Sequence, residues 1–238
     1  MKSNFALVDV PAIRLRNLTK EFYSKSETVT AVDDVTLEIS AGTFTCLMGP
    51  SGCGKSTLLH LISGVETPTS GEIWVNESNV SELSQAELSN FRLRQLGIVF
   101  QDHRLIPEFT LLENVTLPLE IAGISAVEAR TAGEGALERV GIAELANRYP
   151  DEVSGGQKQR AGIARGIAGN KRILLADEAT GALDRKNSFS IFGLFRELAD
   201  AGFMVLAATH DQGVSEFADE IIGMEDGHLV AVGAEARS

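Results

Sequence analysis

Cysteine is almost absent from this chain: two residues in 238, Cys46 and Cys53. That excludes a disulfide framework and fits a reducing cytosol. Also missing is any apolar run near the roughly 18 residues that a membrane-spanning helix needs. The stretch Met1-Lys2-Ser3-Asn4-Phe5 lacks the apolar segment of a secretory signal. The expectation is a cytoplasmic chain, with any membrane link made through another polypeptide. Basic residues are in deficit too, 21 Lys and Arg against 33 Asp and Glu, for a net charge of −12. Such a surface is repelled by nucleic acid and by anionic lipid, so nucleic acid is not expected as a partner. No internal repeat or low-complexity tract breaks the chain. What is there, 44% hydrophobic and 23% charged residues, fits a soluble globular protein able to bury a proper core.

One loop stands out. Gly49-Pro50-Ser51-Gly52-Cys53-Gly54-Lys55-Ser56-Thr57 fits the phosphate-cradling pattern G-x-x-x-x-G-K-[ST] without a mismatch. The apolar run Phe44–Met48 before it reads as a buried strand, and Leu58–Ile62 after it as the start of a helix. Gly49, Gly52 and Gly54 let successive backbone N–H groups turn toward an anion, with no Cβ in the way. The helix start adds its positive dipole end. Lys55 supplies a full charge for the β- and γ-phosphates, and the Ser56 hydroxyl suits Mg²⁺. A glycine-rich turn that binds nothing is the competing reading, and the flanking strand and helix weigh against it. A nucleotide with Mg²⁺ is the expected ligand.

The rest of the chain divides by texture. Residues 1–10 read as a frayed lead-in. Ile13–Leu18 and Val35–Ile39 alternate at period two, as half-buried strands of an antiparallel sheet do, with a polar loop from Tyr23 to Thr30 between them. Phe22 and Tyr23 flank that loop, as core residues or as a base-stacking platform. A strand at Glu72–Val75, a capping box at Ser84–Glu87 opening a helix to Arg94, and a strand at Leu96–Phe100 follow. From Gln101 to Gly166 the pattern turns helical, with starts at Thr110, at a second capping box Ser125–Glu128, and after Ser154. This block reads as an all-helical lobe inserted into an α/β core. Strands at Arg172–Ala176 and Phe203–Ala208, an amphipathic helix at Phe189–Leu198, a short helix and a hairpin turning at Glu225-Asp226-Gly227 complete the core.

Parallel strands carry their functional residues at their carboxyl ends. Three predicted strands stop at polar residues: Gln101, Asp177-Glu178 and His210. Asp177 is the type of carboxylate that holds Mg²⁺ beside a phosphate loop, and Glu178 a candidate base or water-orienting group. Taken alone, such a pair more often serves as a helix-start cap, and the phosphate loop upstream reverses that preference. His210 is a candidate γ-phosphate contact against an ordinary surface histidine, and the Gln101 amide could bridge Mg²⁺ and water. A second glycine-rich element, Val153-Ser154-Gly155-Gly156-Gln157, opens a helix and makes another anion site. It does not easily share a triphosphate with the first loop of its own chain, whereas two chains head to tail would complete each other's sites.

The set resembles the ATP-binding-cassette ATPases. Five separated motifs match in order: GPSGCGKST at 49–57, Gln101, VSGGQ at 153–157, ILLADE at 173–178 and His210. The resemblance covers about residues 11–232 and implies an α/β fold. Its P-loop NTPase (RecA-like) core, about 11–100 and 167–232, carries an antiparallel β subdomain and an inserted α-helical lobe, about 101–166. It implies ATP hydrolysis with Glu178, His210, Gln101 and Lys55 as catalytic groups, and Ser56, Gln101 and Asp177 around the metal. Ser154, Gly155, Gly156 and Gln157 would read the γ-phosphate in trans in a dimer sandwich. Asp184, in Gly181–Asp184, belongs to a loop between the two sites. Phe22, with Tyr23 as alternative, would stack on adenine.

The stretch His103–Val115 is similar to the subgroup behind lipoprotein release, macrolide or peptide export and a cell-division complex. That implies an integral membrane permease-type subunit docking near 101–119, on the cytoplasmic face of the inner membrane. A non-transport regulator of a membrane partner and a P-loop phosphotransferase are the other classes. DNA-repair relatives carry a long coiled-coil insertion, for which this chain has no room. Val153 for Leu, Ala179 for Pro (loosening the backbone) and helix-weakening Gly166 and Gly169 depart from the family pattern. Finally, Cys53 lies near Lys55 and a helix start, which favour a thiolate. The sequence therefore predicts inactivation by alkylation with protection by ATP, against a buried inert thiol.

Overall fold

The computed structural model describes residues 12–24 and 27–230. The lead-in at 1–10, residues 25–26 of the first hairpin and the segment from 231 onward lie outside the described residues. In chain order the first half comprises β1 (Ile13–Tyr23), β2 (Thr28–Ile39), β3 (Phe44–Met48), α1 (Lys55–Ile62), β4 (Ser70–Val75), β5 (Ser78–Asn79), α2 (Gln85–Gln95) and β6 (Leu96–Val99). Then come α3 (Leu111–Ile121), α4 (Ala126–Arg139), α5 (Gly155–Ile167), β7 (Ile173–Asp177), α6 (Arg185–Asp200), β8 (Met204–Thr209), β9 (Glu220–Glu225) and β10 (His228–Val230).

Two sheets form. The first is antiparallel, in the order β2-β1-β4-β5. The β1–β2 register shifts between Leu15 and Glu21, and Asn17 and Asp34 sit there with φ of 45° and 50°. Such bulges break strict alternation, which is why the sequence pattern registers only parts of both strands. The loop expected from Tyr23 to Thr30 is correspondingly shorter, since pairing reaches Tyr23 opposite Thr28.

The second sheet runs β10-β9-β3-β8-β7-β6, parallel throughout except for the β9–β10 hairpin. Its strands send alternate residues into two separate cores. Phe44, Cys46, Leu174, Ala176, Val205 and Ala207 meet residues of α3, α4, α5 and α6. Leu47, Ile173, Leu175, Met204 and Leu206 meet α1, α2 and the antiparallel sheet. Both faces are covered, so these strands read as continuous apolar runs in the sequence.

Helix starts are fixed locally. Reciprocal capping boxes open α2 (Ser84/Glu87), α3 (Thr110/Glu113), α4 (Ser125/Glu128) and α5 (Ser154/Gln157). Helix α6 begins at Arg185, a turn before the predicted Phe189, because Asp184 accepts from the Asn187 N–H at 2.9 Å. The short helix expected after His210 is a 3-10 stretch, Gln212–Glu216.

Helix α5 lies across β6 as well as against α3 and α4. A Cβ on Gly97 of β6 would stand 2.2 Å from the Gly166 carbonyl oxygen, so these two backbones touch. A Cβ on Gly166 itself would stand 2.8 Å from Leu174 Cδ1, so glycine there also makes room in the packing. Gly169 lies beyond the helix at φ 79°, where glycine is favoured, and not within it as the sequence reading had it.

Between α5 and β7, Lys171 is 7% exposed, and burial, with Arg165 adding repulsion, pushes its ammonium down to about 8. Its folded pKa lies below the unfolded value, so protonation opposes folding below pH 8, and stability rises from pH 8 to about 10.5. Lys171→Met should raise urea-unfolding stability at pH 7, by on the order of 3 kcal/mol, and flatten that rise. Gly97→Ala should destabilise by about 1–3 kcal/mol or more, read as a lowered urea midpoint, because its clash is with backbone.

Candidate active site

The phosphate loop joins β3 to α1 and is wedged between both sheets. A Cβ at Gly54 would lie 2.1 Å from the Ala31 carbonyl oxygen of β2, and one at Gly49 2.1 Å from the Met224 carbonyl oxygen of β9. The Gly227 N–H donates to the Cys53 carbonyl at 3.1 Å. Gly52 and Gly54 hold φ of 83° and 108°. The cradle is a cavity of about 210 Å³, bounded by Ala31, Ser51, Gly52, Gly54, Lys55, Ser56, Thr57 and Glu178. Lys55 folds back over it, donating to the carbonyls of Gly49 at 2.8 Å and Pro50 at 3.0 Å.

The strand ends of the parallel sheet meet this loop. The Ser56 hydroxyl donates to Asp177 Oδ1 at 2.9 Å, tying α1 to the end of β7. Glu178 sits at φ 48°, its N–H donating to the Ala208 carbonyl and its carbonyl accepting from Gly181, both at 2.9 Å. Ala179, next to it, is buried. His210 Nδ1 lies 3.0 Å from Glu178 Oε2. Gln101 shares a second cavity, about 470 Å³, with Ser56, His60, Asp177 and Glu178. Gln101 also packs on Gly181, where a Cβ would approach its Nε2 to 3.0 Å.

An oxygen-donor set of one hydroxyl, one carboxylate and one amide fits Mg²⁺, which takes one or two carboxylates and completes its shell with phosphate and water. No cluster of three or more His, Cys, Asp or Glu that could hold a metal occurs among the described residues.

Lys55, Ser56, Gln101, Asp177, Glu178 and His210 thus converge. Ser154, Gly155, Gly156 and Gln157 do not line either cavity. They cap α5 and pack on the start of α6, Gly155 toward Leu183 and Gly156 toward Asn187. Asn187, which the sequence reading missed, links the two motifs, since its amide donates to Asp184 at 2.8 Å. Its only sequence signal is its position three residues after a helix-capping aspartate. Hydrogen bonds from the Asn187 amides hold the Asp184 carboxyl below its ordinary value.

Phe22 and Tyr23 are 40% and 70% exposed, which corrects their reading as core residues. Phe22 pairs with Val29 in register, two residues before the Ala31 that touches the loop.

The comparisons with known proteins agree with this geometry. The family model described as ABC transporter matches residues 32–181. The chain belongs to the ABC transporter family. Two of its relatives match over nearly their whole length. The lipoprotein-releasing system ATP-binding protein LolD of Acinetobacter baylyi is 39% identical over 217 residues, 90% of this chain and 95% of LolD. The ABC transporter ATP-binding protein MJ0796 of Methanocaldococcus jannaschii is 41% identical over 222 residues, 91% of this chain and 94% of that protein. A dimeric structure of the MJ0796 cassette superposes with a TM-score of 0.83 at 40% identity, covering 91% of this chain and 96% of that one. A dimeric post-hydrolysis state of MJ0796 bound to ADP and Pi gives 0.83 at 39% identity over the same shares.

One expectation changes within the loop. Cys53 is 4% exposed, with its sulfur 3.9 Å from Lys55 Nζ and in the space a Cβ on Gly49 would need. Cys46 is fully buried, and burial pushes its thiol up to about 12. Buried thiols are inert. Iodoacetamide should leave both cysteines largely unmodified in the native protein while labelling the urea-unfolded chain, as read by intact mass.

Proposed function

We propose that this chain is the ATP-hydrolysing motor of a membrane transport or mechanical-work complex, built as one nucleotide-binding unit over about 11–232 with a helical lobe at about 101–166. The observation that carries the reading is the convergence on one phosphate cradle. Lys55, Ser56 and Glu178 line it, Asp177 is bonded to Ser56, and His210 lies against Glu178.

In this reading the loop amides and Lys55 bind the β- and γ-phosphates, and adenine stacks on Phe22. Ser56, Asp177 and Gln101 are the residues that would hold Mg²⁺, which when bound would supply positive charge against the negative charge developing on the phosphate. Glu178 orients a water and accepts its proton as the water oxygen attacks the γ-phosphorus. The bond from that phosphorus to the β–γ bridging oxygen breaks, and ADP and phosphate result. His210, bonded to Glu178, contacts the γ-phosphate and keeps the carboxylate aimed.

A second copy supplies Ser154, Gly155, Gly156 and Gln157 across a head-to-tail sandwich, with Asp184 at the junction. The dimeric MJ0796 structures, one with ADP and Pi, support this arrangement by likeness. The relation to LolD supports a membrane subunit as partner, docking near 101–119, with this chain held at the cytoplasmic face of the membrane. No helix among the described residues is long and apolar enough to cross a membrane.

Glu178→Gln should lower ATP turnover by about 10²–10⁴-fold while leaving ATP affinity in place. The variant should also accumulate as a dimer in MgATP by light scattering. Undiminished turnover removes Glu178 from its role, and a strictly monomeric variant removes the sandwich.

A further inference from the structure

Just after Gln101 the backbone takes a shape that side chains seldom adopt. His103 and Arg104 have φ of 60° and 47°, two neighbouring left-handed residues without a glycine. Such a conformation persists only where its surroundings enforce it. Here one helix does so.

Gln159 of α5 is completely buried and grips the turn with both ends of its amide. Its Nε2 donates to the Phe100 carbonyl at 3.4 Å. That leaves Oε1 to accept from His103 Nδ1–H. Six residues along the same helix, Arg165 donates to the carbonyls of Arg104 at 2.5 Å and His103 at 2.7 Å. The α5 backbone comes close enough at Gly162 that a Cβ there would lie 3.7 Å from the His103 carbonyl oxygen. Four side-chain hydrogen bonds therefore bracket Gln101 through its neighbours, Phe100 on one side and His103-Arg104 on the other. All four have one partner on the helix whose first turn carries Ser154, Gly155, Gly156 and Gln157.

A helix moves as a rod. Anything that shifts the N-terminus of α5 shifts Gln159 and Arg165, and through them the turn that aims Gln101. We infer that Gln159, together with His103 and Arg165, is a positioning residue for Gln101, coupling the seat of α5 against the second copy's nucleotide to this chain's own metal and water site. The inference rests on the proposed roles of Gln101 and of Ser154–Gln157.

Two variants of the full chain test it. Gln159→Met keeps the volume and deletes both amide bonds. His103→Gly keeps the left-handed backbone without steric cost and deletes only the ring. It also provides the reading if Gln159→Met fails to fold by circular dichroism. Each should lower kcat for ATP about tenfold with KM within about twofold, and in a Gln101→Ala background should lower it by no more than about twofold. If either variant costs the same factor with and without the Gln101 amide, the proposal is overturned while the role of Gln101 stands. Undiminished kcat in both overturns it too. Wild-type turnover of Gln101→Ala alone overturns the role of Gln101 and this coupling with it.

Discussion

Two backbone carbonyls, those of Ala31 and Met224, occupy the space where side chains at positions 54 and 49 would have to go. The phosphate loop is thereby held from both sides, by the antiparallel sheet through β2 and by the parallel sheet through β9. Glycine at both places costs conformational entropy, roughly 0.5–1 kcal/mol each relative to alanine, and only glycine permits the contact. With the loop pinned, the start of α1 has one position. Lys55 and Ser56, its first two residues, inherit that position, and the pairing of Ser56 with Asp177 follows.

Strand order does the rest of the assembly. Because β8 lies between β3 and β7, with β6 beyond, the loop after β3 and the ends of β6, β7 and β8 open on one side of the sheet. Residues far apart in sequence, Gln101, Asp177, Glu178 and His210, are delivered there by parallel strands, as the crossover topology requires. The cores on the two faces make that order rigid: alternate residues of β3, β7 and β8 are committed to opposite clusters, so a one-residue slip would exchange them.

The third structural theme is α5. It touches β6 at Gly97 and Gly166, holds the strained turn after Gln101, and presents a glycine-rich first turn against Leu183 and Asn187 at the start of α6. The helical segment from Gln101 onward is thus connected to the core by more than its two chain crossings. A nucleotide reaching that first turn would act on a lever already joined to the Gln101 side of the cleft.

Much of this was legible in the residue string because the signals are local. A phosphate loop needs about eight consecutive residues, a capping box four, and a buried strand a short apolar run ending in a polar residue. Each is governed by backbone sterics and by hydrogen bonds within a turn. Other features are decided by groups that meet only after folding. The bulges in β1 and β2, the exposure of Phe22, the burial of Cys53, the bridging role of Asn187 and the grip of Gln159 on His103 have no short-range signature. Gly169 looked like a helix residue until the helix end gave it a left-handed φ. The sequence by itself determined the elements and the chemistry at their ends, since both depend on neighbours a few residues apart. The tertiary structure alone decided which of those ends meet and which side chains are sealed, because contact and desolvation are properties of the packed chain.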